Sequence, residues 1–385
     1  MTTTKIPVSS TSRQVYTIAS GHLFHDLYTS FLAPLLPQII ETFSLSLTSA
    51  GLLTTLSRIP SILNPFVGYI ADKAGAKYFV IITPAITATL MSLLGIAPNP
   101  YVLGIIIFFS GMSSTIFHAS SPGLIADASI KKTGHGMSLF MAGGGIGRTL
   151  GPLLVVWGIA QFGIGGIYRL AFLGWATSII LFFQFRNIDL KPRQNYSLKA
   201  VLPHFKRFFI PLVLVLILRN ALTASLYTYL PIYLVQSGTP LWLAGVSLSA
   251  LELSGVIGAL IIGPLSDRFG RRKSINISML VSAVIVPVFV QTSGWYAIPF
   301  LVILGFFSLS TSTLFLALVQ DHFQDHRATG NSLYLLISLL TNALMLIIIG
   351  NIGDYAGLRF AYYLSSIAAL LSIPALRLLP RLEQQ

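Results

Sequence analysis

The chain contains no cysteine, so disulfides and thiolate metal sites are excluded. Charge is almost as scarce. Asp, Glu, Lys and Arg make up 9% of the 385 residues, against about a quarter in a soluble domain. Acids are the rarest of these, 11 against 24 Lys and Arg. No GKS-type phosphate loop, triad spacing or metal-hydrolase spacing occurs. ATP is therefore not expected as the energy source, and nothing points to an enzyme. Met1 to Thr11 also lack a signal-peptide pattern, so the first apolar helix is expected to persist as a span.

What fills the chain is apolar: 54% hydrophobic residues and a mean hydropathy of +0.79. That composition describes a polytopic membrane protein. Twelve spans are predicted, near 15–38, 47–71, 77–96, 100–126, 134–161, 165–185, 208–236, 241–265, 272–291, 295–319, 328–351 and 357–378. Each approaches or exceeds the roughly 20 residues that cross a bilayer. All basic residues except Arg58, Arg148, Arg169, Arg219 and Arg359 fall at the N-terminus, in the loops after even-numbered spans, or at the C-terminus. The positive-inside rule then expects both termini in the cytoplasm and the chain in the plasma (inner) membrane. A net charge of +13 is on this reading a topology signal. It adds weak attraction to anionic lipid and carries no nucleic-acid meaning.

Organisation follows from a composition shift and a repeat. Residues 186–207 are polar and basic, with Pro192 and Pro203, and read as a linker between an N-terminal half, 1–185, and a C-terminal half, 208–385. Gly68, Asp72 and Gly75 recur as Gly263, Asp267 and Gly270 at a constant offset of 195 residues, the second copy with Arg268 and Arg271. With twelve spans in two halves, this duplicated loop resembles the signature of the major facilitator superfamily. The resemblance implies an all-α fold of two six-helix halves rocking about a midplane site. It also implies that Asp72 and Asp267, with neighbouring basic residues, latch one conformation.

In the fifth span Gly143, Gly147 and Gly151 share one helix face, a spacing that lets another helix approach closely. Pro152 removes a backbone hydrogen bond and permits a kink. This segment is similar to the glycine-proline motif of proton-driven antiporters in the superfamily. The eleventh span lacks it, which favours export. More narrowly, His22-x-x-His25-Asp26, the Ser113 to His118 stretch and the Gly134 to Pro152 segment resemble the fosmidomycin-resistance group of drug exporters. His25 stands where that group usually has Asn, and Ala119-Ser120 where it often has Pro-Glu.

Within the spans the ionisable residues are His22, His25, Asp26, Arg58, His118, Arg148, Arg219 and Glu252. Such residues are rare at membrane depth and mark pathways. His22, His25, Asp26 and Thr29 fall at i, i+3, i+4 and i+7, one helix face. Asp26 is the expected proton carrier, because burial opposes its charge while a neighbouring His or Arg supports it. His22, His25 and His118 are expected relays or substrate contacts, imidazole being the side chain that titrates near neutrality. Glu252 is the second carboxylate. Arg58, Arg148 and Arg219 have the bidentate fork that grips phosphate, phosphonate or carboxylate. Internal pairing is also expected, of Arg58 or Arg148 with Asp26 and of Arg219 with Glu252. Tyr28 is a candidate aromatic substrate contact.

The reading is a monomeric, proton-driven exporter of a small amphipathic or anionic drug-like molecule. It needs no cofactor beyond the proton gradient and no resident metal. Three alternatives stand beside it: a divalent-metal exporter using His22, His25 and Asp26; a proton-coupled uptake symporter; and a membrane protein that transports nothing.

Overall fold

The computed structural model describes residues 8–64, 66–67, 70, 76–128, 133–185, 205–323 and 327–380. Gly68, Asp72, Gly75 and most of the expected linker, 186–204, lie outside the described residues. The described residues form helices and connecting turns, with no strand. In chain order the first helices are α1 (Val8–Thr29), α2 (Leu32–Phe43), α3 (Leu47–Leu56), α4 (Ala76–Ser92), α5 (Pro100–Ala128), α6 (Thr133–Phe162) and α7 (Phe172–Phe185). After them come α8 (Ile210–Ala224), α9 (Leu230–Gln236), α10 (Leu241–Phe269), α11 (Arg271–Phe289), α12 (Ala297–Leu304), α13 (Thr311–His322), α14 (Arg327–Ala356) and α15 (Leu358–Ala375).

Ten segments among the described residues, from Lys77–Ile96 to Leu358–Leu378, are long and apolar enough to cross a membrane. They coincide with the third to twelfth predicted spans. The first predicted span is absent from this set for a local reason, and the second, 47–71, runs partly outside the described residues. Pro34 has no amide to donate to the carbonyl of Ser30, and its ring crowds that position. The helix therefore breaks between Thr29 and Leu32. Thr29 Oγ1 and Ser30 Oγ donate instead to the carbonyls of Asp26 and Leu27, at 2.9 and 2.8 Å. Similarly α3 stops at Leu56 and gives way to a 3₁₀ turn over Ile59–Leu63, with Pro60 in its first turn.

The chain divides into two compact units. The first comprises Met1–Leu32 and Leu56–Gln194. Its core is a cluster that includes Val15, Ile18, Val80, Ile81, Phe117, Phe140, Leu181 and Phe185. Lipid tails are as apolar as leucine, so burial alone does not hold helices together in a bilayer; close packing must. The glycine face of α6 supplies it. A Cβ at Gly143 would lie 2.3 Å from the carbonyl oxygen of Ala19, one at Gly147 2.2 Å from that of Leu23, and one at Gly151 2.2 Å from that of Leu27. Three glycines, four residues apart, thus seat three successive turns of α1. Pro152 is buried within α6, which continues as one helix from Thr133 to Phe162.

The second unit comprises Ala33–Thr55 and Asn195–Gln385. It uses the same device reciprocally. Gly258 of α10 sits over the carbonyl of Phe306, and Gly305 over that of Leu251, each leaving a would-be Cβ 2.1 Å from the oxygen. The start of α3 is capped from the end of α14. Asp354 accepts from the amides of Leu47 at 2.6 Å and Thr48 at 2.9 Å, and from the Thr48 hydroxyl at 2.6 Å. A carboxylate there satisfies unpaired helix amides and complements the helix dipole.

Candidate functional site: a histidine–aspartate–arginine cluster

The polar stripe of α1 faces α5 and α6 in the first unit. His22, His25 and Asp26 are all buried, with relative exposures of 2%, 0% and 2%. Asp26 is the focus. Its Oδ2 accepts from Arg148 Nη1 at 2.7 Å and lies 3.2 Å from His22 Nε2. Its Oδ1 lies 3.2 Å from His118 Nε2. Of the two expected partners, Arg148 of α6 takes the carboxylate; Arg58 sits at the break that opens the Ile59–Leu63 turn. The Arg148 and His118 side chains are 38% and 41% exposed, so the cluster has a buried end on α1 and an accessible end on α5 and α6.

One hydrogen bond places a proton on Nδ1 of His22. Its Nδ1 lies 2.7 Å from the carbonyl oxygen of Phe140, and a carbonyl only accepts. Nδ1 therefore carries a proton, and Nε2 is turned toward Asp26. The His22 ring is also stacked on Phe140, 3.9 Å between centroids at 22°. The 3.2 Å contacts to Asp26 are electrostatic rather than aligned hydrogen bonds: His22 Nε2 and Asp26 Oδ1 are both buried without a hydrogen-bond partner. Arg148 is the aligned donor.

Room for this arrangement comes from Gly144. A Cβ there would fall 2.4 Å from His22 Cε1 and 2.9 Å from Asp26 Oδ2. Spacing does not single out Gly144, although it lies inside the Gly143–Gly145 run that its neighbours bring to notice. Phe140 carries no sequence signal at all, because it contributes a backbone carbonyl. Both belong to the site.

His25 is placed differently from His22. Its ring stacks on Phe117, 4.2 Å between centroids at 10°, and neither ring nitrogen has a hydrogen-bond partner. Tyr28 is fully buried and donates its hydroxyl to the carbonyl of Leu170, so it stands in packing.

In the second unit Arg219 of α8 is 4% exposed. It donates from Nε to Thr311 Oγ1 at 3.0 Å, from Nη1 to Asn220 Oδ1 at 2.8 Å and from Nη2 to Ser312 Oγ at 2.5 Å. These neutral oxygens, rather than the expected Glu252, receive the guanidinium. Asn220 then donates to Thr341 Oγ1 at 2.8 Å, tying α8 to α14. Glu252 is buried on α10. Thr311, Ser312 and Asn220 escape a search for charges because each is neutral.

The second copy of the duplicated loop is an ion-paired corner. Arg271 pairs with Asp267 one turn earlier, reaches Asp321 of α13 at 3.1 Å and donates to Ser266 Oγ. Gly270 ends α10 at φ +91°, a conformation that a side chain would strain. Arg268 is exposed, and Gly263 has nothing within 4 Å of a would-be Cβ.

The chain has relatives among known proteins. It is 26% identical over 365 residues to the fosmidomycin resistance protein of Escherichia coli (strain K12), covering 92% of this chain and 90% of that one. It is 24% identical over 296 residues to a multi-drug resistance efflux pump PmrA homolog of Lactococcus lactis, covering 71% of each. In fold it is similar to a bacterial homolog of the human lysosomal transporter Spinster, with a TM-score of 0.79 at 16% identity over 97% of this chain and 98% of that one. A mutant of the nucleoside transporter NupG gives 0.77 at 15% identity, over 95% and 99%. The family model described as Major Facilitator Superfamily matches residues 18–262 and 244–385. The chain therefore belongs to the Major Facilitator Superfamily, a multi-pass membrane transporter and not an enzyme.

Proposed function

We propose that this transporter exports a small amphipathic or anionic molecule in exchange for protons, with Asp26 as the proton carrier. The observation that carries the reading is the 2.7 Å contact between Arg148 and Asp26, the one acidic residue of α1, with two imidazoles 3.2 Å from the same carboxyl. An ionised Asp26 holds the guanidinium. A proton on Asp26 removes that attraction and releases Arg148. The two protonation states thus differ in where a cation sits, which is the kind of differential interaction that shifts a conformational equilibrium. His118, the exposed imidazole, connects the buried carboxyl to its surroundings. Arg148, partly exposed, is the first candidate to hold a substrate anion, with Arg219 as a second candidate. The names of two relatives, a resistance protein and an efflux pump, support the export direction.

The same ion pair favours a second reading. If a substrate anion binds Arg148 only after Asp26 is protonated, proton and anion load together, which is symport. The sign of the proton flux separates the two. Proteoliposomes are loaded with fosmidomycin and a lumenal pH dye, then diluted into drug-free buffer. Exchange acidifies the lumen as drug leaves; symport makes it alkaline. Asp26→Asn is expected to abolish either change. A pH change that is equal in wild type and Asp26→Asn would remove proton carriage from this residue.

A further inference from the structure

The geometry points to a binding site for a divalent transition metal formed by His22 Nε2, His118 Nε2 and the Asp26 carboxylate. This goes beyond the transport reading and rests on no assumption about substrate or direction. Three observations support it. The three ligand atoms lie within 4.8 Å of one another. Tetrahedral coordination with bonds of about 2.0–2.1 Å places neighbouring ligand atoms roughly 3.3 Å apart. Here His22 Nε2 is 3.2 Å from Asp26 Oδ2, and His118 Nε2 is 3.2 Å from Oδ1. The two contacts use different oxygens of the carboxylate, so closing three ligands on one ion takes a turn of that group.

The second observation is the tautomer. His22 Nδ1 donates to the Phe140 carbonyl, so a neutral ring directs its Nε2 lone pair into the cluster. An outer hydrogen bond of this kind orients a metal-bound histidine and raises its basicity. The third is that two of the three ligand atoms, His22 Nε2 and Asp26 Oδ1, are buried without an aligned hydrogen-bond partner, on side chains no more than 3% exposed. Buried polar atoms are normally satisfied. A bound cation would satisfy both at once.

The donor set also selects the ion. Two imidazoles and one carboxylate suit Zn²⁺, Co²⁺ or Ni²⁺, whereas Mg²⁺ and Ca²⁺ prefer all-oxygen shells. The His118 side chain is 41% exposed, which gives an ion an entry path. The opposing feature is Arg148, whose positive charge on Asp26 Oδ2 competes with an incoming cation. The Arg148 side chain is 38% exposed, so the proposal requires its guanidinium to turn toward solvent when metal binds. Metal would then take the place of the guanidinium on the carboxyl and tie α1 to α5.

The test uses Co²⁺, whose visible absorbance reports tetrahedral nitrogen and oxygen ligation, titrated into the purified full-length protein in detergent. Wild type is expected to bind one equivalent saturably. His118→Ala is expected to weaken binding by more than about tenfold. Arg148→Gln should tighten it, because the competing charge is gone. Size-exclusion profiles and melting temperatures verify that each variant is folded. The proposal is overturned if wild type does not bind saturably, or if folded His118→Ala binds as wild type does. The readout is equilibrium binding to resting protein, so its failure leaves the transport reading untouched, and failed transport leaves it intact.

Discussion

Two histidines one turn apart on α1 have opposite surroundings, and that difference sets what each can do. His22 is bound on one side to a backbone carbonyl and faced on the other by a carboxylate. His25 is sealed between rings, with both nitrogens unsatisfied. A buried polar atom without a partner costs about 1–3 kcal/mol, and a phenyl ring would keep the stacking on Phe117. His25→Phe is therefore expected to leave proton-coupled flux intact and to raise the melting temperature in detergent. A loss of flux in a folded His25→Phe protein would make His25 a relay after all. The sequence showed both histidines and Asp26 as a stripe because helical spacing is a local property. It did not separate the roles of the histidines, nor choose Arg148 over Arg58 for Asp26. Those depend on which helix lies opposite, and Arg148 is 122 residues from its partner.

At the level of helices, the glycine spacing of α6 was legible, and its physical consequence is the row of α1 carbonyls seated on Gly143, Gly147 and Gly151. The duplicated loop was equally visible, yet Gly263 has open space where Gly147 has none. Spacing alone does not distinguish a glycine required by contact from one that is not. The two should respond to alanine with opposite signs. Gly147→Ala places a methyl 2.2 Å from the Leu23 oxygen and must push α1 away. It is expected to lose about 1–3 kcal/mol, as for other overpacked sites, and to melt earlier. Gly263→Ala lies inside α10 with nothing to strike, and is expected to gain roughly 0.5–1 kcal/mol from reduced chain entropy and better helix propensity. Thermal unfolding of the two single variants beside wild type measures both. Equal destabilisation by both would mean that the contact assigned to Gly147 is not what requires glycine there.

For the whole molecule, the distribution of basic residues makes a claim that helix geometry does not: which side each loop faces. It also covers the first two predicted spans, which fall outside the ten recognisable by length and hydropathy. The first is diluted by the stripe that builds the cluster and is broken near Pro34; the second is broken near Pro60 and runs partly outside the described residues. Topology can recover them. If the first segment crosses the bilayer, Ser46 faces the opposite side from Thr3; if the second crosses back, Asn195 returns to the side of Thr3. The chain has no cysteine, so each position can carry the sole thiol without a background to remove. The expected pattern with an impermeant maleimide on intact cells is labelling of Ser46→Cys and Ser237→Cys, while Thr3→Cys and Asn195→Cys label only in inverted vesicles. Labelling of Ser46→Cys from the same side as Thr3→Cys would mean that α1 and α2 do not cross. Asp26, His22 and His25 would then not lie at membrane depth, and the argument that such residues are kept there for transport would lose its premise.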